Sequence, residues 1–340
     1  MSGLENFGQL PNGETVWLAT IENSKGMKAK IITYGGIMHS VVLADGVDVI
    51  LGKQTLEDYL SDGGNSAAVI GRVANRIKDA AFELDGKRYE LLANDRGNCL
   101  HGGGGMYAAR NFIVADIARD SVKLAVFDKG EGGFPGEVDV TVRYTVTEDD
   151  ELKICYHAVA SENTPINLTN HVYFNLAGHD SGAIYAQELF IDADFHTPSD
   201  ENVLTTGEIE SVEGTPVDFR SFKDFRSAMD ELQASGSVLG GFDHSYVLKG
   251  CGYRKVAVAR DPASGRFMET YTDLPGVQLY TGNHLTGKAG KNGAAYHKHA
   301  GFCLETQFFP DSINKPHFPS SLLMKDTVFT TCTAYRFGKE

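Results

Sequence analysis

The 340-residue sequence has no basic run, and its 31 lysines and arginines are outnumbered by 45 aspartates and glutamates, for a formal net charge of −14. A chain of that balance has nothing with which to track a phosphate backbone or an anionic membrane, so neither nucleic acid nor membrane is expected as a partner. Long apolar runs are also missing: no stretch approaches the roughly 18 apolar residues that a membrane span needs. The start, "MSGLENFGQLPNGE", has neither a basic opening nor an apolar segment after it, and a cytoplasmic location is expected. Cysteine is scarce and scattered. Cys99, Cys155, Cys251, Cys303 and Cys332 are odd in number, without a CxxC pair, and read as reduced, buried residues rather than a disulfide framework or a zinc site. Asn167-Leu168-Thr169 matches a glycosylation acceptor in form but reads more simply as part of a strand.

What the chain has in quantity is alternation. In "EVDVTVRYTVTEDDELKICYHAV", Val138, Val140, Val142, Tyr144 and Val146 alternate with polar residues, and Leu152, Ile154, Tyr156 and Ala158 resume the pattern after an acidic turn. "AAFELDGKRYELL" repeats the hairpin around Asp85-Gly86, a two-residue turn signal. "KVAVARDPASGRFMETYTD" does so around a Pro/Ser/Gly turn, and "DTVFTTCTAYRF" reads as a closing strand. Helical periodicity is confined to "KQTLEDYL" (53–60) and "FKDFRSAMDELQ" (222–233), while 38 glycines supply turns. Many closely spaced strands without βαβ alternation predict an all-β fold, a large antiparallel sandwich with a few short helices. No linker or repeat divides the chain, so residues 1–340 are expected to form one domain.

Three motifs suggest functions that their context does not support. "GNHLTGKA" nearly matches a phosphate-binding loop, but Ala289 stands where the metal-binding Ser or Thr belongs, and "GKNG" follows where a helix should start. "HGGGGM" lacks a dinucleotide fingerprint and reads as a turn. His297 and His299, two apart, would point to one face of a strand, but no carboxylate or cysteine close in sequence completes a metal set. No metal is expected. What remains is a group of polar residues in strand-like surroundings: Asn75 and Arg76 in "GRVANRI", His101 in "NCLHGG", His171 and Tyr173 in "TNHVYFN", Asp243 in "GFDHSY", Gln278 in "GVQLYTGN" and Glu305 in "GFCLETQFFPD". Each alone is explained as a hydrogen-bonded core or surface residue. Together they offer imidazoles, carboxylates, a guanidinium, amides and a phenol, an inventory suited to binding a polyhydroxylated ligand and moving protons on it.

The stretches "GRVANRI", "LHGG", "NLTNHVYFNL", "GFDHSY", "GVQLYTGN" and "LETQFFPDSINKPHFP", in this order along nearly the whole chain, resemble the aldose 1-epimerase (galactose mutarotase) family. The resemblance implies a β-supersandwich, an open sugar site, no cofactor, and a small aldose such as galactose or glucose as partner. A monomer or weak homodimer is expected. By the same resemblance Glu305 matches the general base for the anomeric hydroxyl O1, and His171 the general acid for the ring oxygen O5. His101 matches a second catalytic histidine beside the ring oxygen, while Asn75, Arg76, Tyr173, Asp243 and Gln278 match sugar-orienting positions. Three rival readings are a glycoside hydrolase, which usually pairs two carboxylates, a non-catalytic sugar sensor of the same fold, and a mutarotase of phosphorylated hexoses, which needs further cations. Unperturbed values near 6.5 for His171 and 4.3 for Glu305 allow the protonated imidazole and the carboxylate to coexist at about pH 5 to 6. Activity at neutral pH then calls for a raised histidine, which a neighbouring carboxylate favours and burial opposes.

Overall fold

A computed structural model describes residues 3–61 and 66–340. The hairpins expected from alternation are present and join into larger sheets. Val138–Val146 pairs with Glu151–Ala160, with Val146 opposite Leu152, and its inward residues are buried in strict alternation with partly exposed ones. Ala81–Leu84 pairs with Lys87–Glu90, and Asp85 and Gly86 both take positive φ (52° and 74°), the geometry a two-residue turn needs to match strand twist. The two helices also fall where periodicity placed them, at Leu56–Ser61 and Phe225–Ala234. The second is capped by Asp224, whose side chain accepts from the Ser227 amide at 2.8 Å.

The largest sheet has nine antiparallel strands, ordered Ile113–Ile117, Ser121–Asp128, Val138–Val146, Glu151–Ala160, Val328–Lys339, Arg266–Thr272, Arg254–Asp261, Glu188–Ile191 and Lys223–Asp224. The chain's last strand therefore lies in its middle. A four-stranded sheet runs in sequence order from Leu4–Gln9 to Met38–Val42, and a five-stranded sheet is ordered Glu210–Ser211, Phe195–Thr197, Asp243–Val247, Gly276–Tyr280 and Cys303–Gln307. All three contribute to one core: Val140, Ile154 and Tyr156 from the first, Leu18 and Ile31 from the second, Val277, Leu279 and Leu304 from the third. The large antiparallel sandwich with few short helices is the fold the alternation predicted.

Two expectations are corrected. Cys155 and Cys332 face one another across Glu151–Ala160 and Val328–Lys339 and are joined as a disulfide, 177 residues apart in sequence. Spacing along the chain does not reveal this, because opposition across a ladder depends on which distant strands pair. Cys99 and Cys303 are buried and free, and Cys251 is exposed and free. The stretch through Asn167-Leu168-Thr169, His171 and Tyr173, expected to be strand, is strand only at Thr164–Pro165 and Thr169–Asn170. Its backbone changes partner along its length: His171 bonds Ala67 and Ala68, the Tyr173 carbonyl accepts from Leu51, and Phe174 exchanges bonds with Phe302. Beyond the two-residue ladder of Thr169–Asn170 with Val69–Ile70, no single neighbour runs alongside long enough to make a continuous strand.

Candidate active site

The site grows out of the period of two in the five-stranded sheet. On Gly276–Tyr280 and Cys303–Gln307, Val277, Leu279 and Leu304 enter the core, so Gln278, Tyr280, Cys303 and Glu305 take the opposite face. Register places Gln278 beside Glu305, and Asp243 beside Tyr280. The Gln278 amide donates to Asp243 Oδ1 at 2.5 Å, while its own carbonyl oxygen is buried without a partner.

Above this sheet, short irregular segments supply the other groups. Asn75 takes a left-handed φ of 62°, a conformation asparagine tolerates, and its Oδ1 accepts from the Arg76 amide at 2.8 Å. Arg76 Nε donates to Asp95 Oδ2 at 2.7 Å. The Asn75 amide donates to His101 Nδ1 at 3.2 Å, which leaves the ring proton of a neutral His101 on Nε2. His101 can turn here because a glycine follows. Gly102 has φ of 88°, and a Cβ on it would stand 2.2 Å from the Gly71 carbonyl oxygen. The Tyr173 and Tyr280 rings lie 5.1 and 5.8 Å from that of His171.

At the centre, His171 Nε2 is 3.6 Å from Glu305 Oε1, and both residues are buried, at 8% and 3% exposure. Burial lowers His171 to about 4. It raises Glu305 well above the usual carboxylate range, Asp243 adding to the rise and Arg76 opposing it. The raised histidine that neutral activity called for is thus not what the free site holds: removal from water lowers the imidazole, with only a backbone hydrogen bond opposing it. His101 is also held well below its ordinary value, first by burial, then by His171 and Arg76.

Asn75, Arg76, His101, His171, Tyr173, Asp243, Gln278 and Glu305, all singled out in the sequence, line one cavity of about 390 Å³. The sequence reading missed Tyr280, Asp95, Asn283 and His284, which share the lining. Tyr280 was detectable: it lies two residues beyond Gln278 and therefore on the same face. Asp95, in the turn-rich "ANDRGN", carries no such signal.

The discarded motifs stay outside the chemistry. Thr286–Ala289, at the end of the phosphate-loop look-alike, is a strand paired with Ala295–His297, not the start of a helix. Both His299 nitrogens are engaged, by the Tyr185 hydroxyl and the Gly240 carbonyl, each at 2.9 Å, and His297 is exposed. The side chains among the described residues whose ligand atoms do converge are His171, Cys303 and Glu305.

With this geometry in view, comparison with known proteins is specific. The aldose 1-epimerase family model matches residues 18–336. The chain is 42% identical over 342 residues to a galactose mutarotase of Bos taurus, covering 98% of this chain and 97% of that one. It is 33% identical to an aldose 1-epimerase of Escherichia coli, covering 97% of each. The crystal structure of an aldose epimerase homologue from C. elegans superposes with a TM-score of 0.88 at 28% identity, over 95% of this chain and 98% of that one. That of a galactose 1-epimerase from Lactobacillus acidophilus does so at 0.86 and 25%, over 99% and 98%. The chain belongs to the aldose 1-epimerase family.

Proposed function

We propose that the cleft interconverts the α and β anomers of free aldohexoses such as D-galactose and D-glucose, with Glu305 and His171 as the proton-handling pair. The observation that carries this reading is the 3.6 Å separation of a buried imidazole and a buried carboxylate in a cavity otherwise lined by hydrogen-bonding side chains. Glu305, as carboxylate, takes the proton of O1 while the C1–O5 electron pair goes to O5, which receives a proton from His171. The product is the open-chain aldehyde. Half a turn about the C1–C2 bond presents the other carbonyl face, and the same two groups working in reverse close the ring as the other anomer. No net proton is gained or lost.

The shifted proton affinities accord with this cycle. A neutral pair, with the proton on Glu305, differs from the working ion pair by one proton transfer. Arg76, which already favours the Glu305 carboxylate, and sugar hydroxyls donating to it stabilise the working form. His101, with its proton on Nε2, is a neutral donor for the ring oxygen. Asn75, Arg76, Tyr173, Asp243 and Gln278 hold the sugar so that O1 and O5 face the pair.

Polarimetry of freshly dissolved α-anomers of galactose, glucose, xylose and arabinose, with the spontaneous rate subtracted, tests the reading and ranks the substrates. Acceleration of at least the galactose reaction is expected, with no reducing sugar released from galactosides. A rate no faster than buffer for all the sugars would sink the proposal.

A further inference from the structure

The strand Cys303–Gln307 turns Cys303 and Glu305, two residues apart, to the same face. His171 meets both: its Nδ1 lies 3.5 Å from Cys303 Sγ and its Nε2 lies 3.6 Å from Glu305 Oε1. One ligand atom from each of the three lies within 4.8 Å of the other two. Around a tetrahedral zinc ion, with bonds of about 2.0 to 2.3 Å, neighbouring ligand atoms are about 3.3 to 3.6 Å apart, so a closure of about 1 Å completes the triangle. His171 and Glu305 line the cavity, and the fully buried thiol sits beside the imidazole. Anomer exchange uses the imidazole and the carboxylate but gives the thiol no task.

We propose that His171, Cys303 and Glu305 form a site for a thiophilic divalent cation, Zn²⁺ by ligand type, and that its occupation switches off the acid/base pair. Thiolate, imidazole and carboxylate are the donors that suit such an ion, and three protein ligands leave a fourth position for water or a sugar hydroxyl. On loading, the thiol and the carboxyl, where protonated, release their protons to solvent as sulfur and oxygen donate to the metal. With its carboxylate coordinated Glu305 no longer accepts the O1 proton, so the pair loses its base whichever imidazole nitrogen holds the ion. This second half of the proposal rests on the acid/base reading; the binding half does not.

The test uses the full chain stripped with a chelator, and reads binding separately from turnover. Calorimetry should give one equivalent of tightly held Zn²⁺, and Co²⁺ should produce a thiolate-to-cobalt charge-transfer band. Galactose mutarotation should fall with the same half-saturation as zinc binding and recover on adding chelator. Cys251→Ser, removing the exposed free thiol, should leave the band intact. Cys303→Ser should abolish it and weaken zinc inhibition of whatever turnover remains by at least about tenfold, the lower bound for loss of even an outer-shell partner. Absence of the band in the Cys251→Ser protein, or equal zinc inhibition with and without Cys303, overturns the site. A band with undiminished mutarotation overturns the switch alone. A band in a protein without mutarotase activity leaves the site standing and removes the proposed function.

Discussion

His171 and Glu305 face each other at 3.6 Å, and burial moves their proton affinities in opposite directions, the imidazole down to about 4 and the carboxyl well up. Between these limits the pair holds one proton, and in the free cleft that proton belongs on the carboxyl. A single shared proton suits an exchange that takes one proton from O1 and delivers one to O5. The sandwich supplies the rigidity: Glu305 is fixed by its ladder to Gln278, and His171 by backbone bonds to Ala67 and Ala68.

Removing either member should abolish most turnover while leaving the fold. Glu305→Gln keeps the shape but cannot take the O1 proton, and His171→Asn keeps a polar group that cannot donate as an imidazolium. Each should lose at least about 10²-fold in kcat and still bind galactose by calorimetry. The double variant should lose less than the product of the two, since neither group is fully useful alone. Circular dichroism on the same preparations checks folding. Near-normal turnover in a folded single variant would remove that residue from its role.

The pH profile of kcat/KM follows from the same pair. As pH falls through the His171 value of about 4, a second proton loads the pair and no base remains, so activity drops. As pH rises through the elevated Glu305 value, the last proton leaves and no acid remains, so activity drops again. The alkaline limb has a built-in check. Arg76 lowers Glu305 and Asp243 raises it, so Arg76→Leu should move that limb to higher pH and Asp243→Asn to lower pH. Polarimetry across pH, corrected for spontaneous mutarotation, reads both, and shifts of the opposite sign would refute this account of the pair.

How much of this was legible in sequence differs by residue. The hairpin around Asp85-Gly86, the alternation of Val138 to Val146 and the helix capped by Asp224 are local, so sequence alone carried them. That Cys155 opposes Cys332 is not local, because it depends on the final strand settling in the middle of the nine-stranded sheet. The site divides in the same way. All eight sequence candidates, from Asn75 to Glu305, were recognisable as polar residues in strand-like surroundings, and the family resemblance supplied the role expected of each. Asp95 lines the cavity and bonds Arg76 from a loop, a placement that nothing local in the sequence announces. Sequence named burial and a neighbouring carboxylate as opposing influences on His171 but not which prevails, because burial is a tertiary property; in the fold burial lowers the imidazole.

Replacing the groups expected to grip the sugar should act first on saturation. Arg76 is held by Asp95 at 2.7 Å and Asp243 by Gln278 at 2.5 Å, so each reaches the cavity from a fixed anchor. Arg76→Ala and Asp243→Ala should raise KM for galactose more than they lower kcat, with some loss of kcat where O1 and O5 are misplaced. Asp95→Ala, which frees Arg76 without removing it, should shift KM in the same direction by less. Unchanged KM in the Arg76 and Asp243 variants would return both residues to the scaffold.

The segment that carries Asn75 and Arg76 is anchored by an ion pair in the core, and that anchor is open to measurement. Arg72 is 1% exposed; its Nε donates to Asp128 Oδ2 at 2.8 Å, and its other nitrogens reach the Pro135 and Gly136 carbonyls and the Thr164 hydroxyl. The Tyr107 hydroxyl donates to the same Asp128 oxygen at 2.9 Å. Arg72→Met fills much of the volume but takes the closest cation from a buried carboxylate, leaving it to Arg110 at 3.7 Å, the Gly130 amide and the Tyr107 hydroxyl, and leaves two backbone carbonyls without their donor, so it should cost about 3 kcal/mol of unfolding free energy. Arg72→Lys keeps the charge without the planar fork that serves several acceptors at once, and should fall between the two. Pairing Arg72→Met with Asp128→Leu removes the stranded charge and should recover part of the loss. Urea unfolding with linear extrapolation measures all of these. A cost below about 1 kcal/mol for Arg72→Met, within the range of an exposed pair, would mean that water reaches Asp128 and that the anchor is not dry.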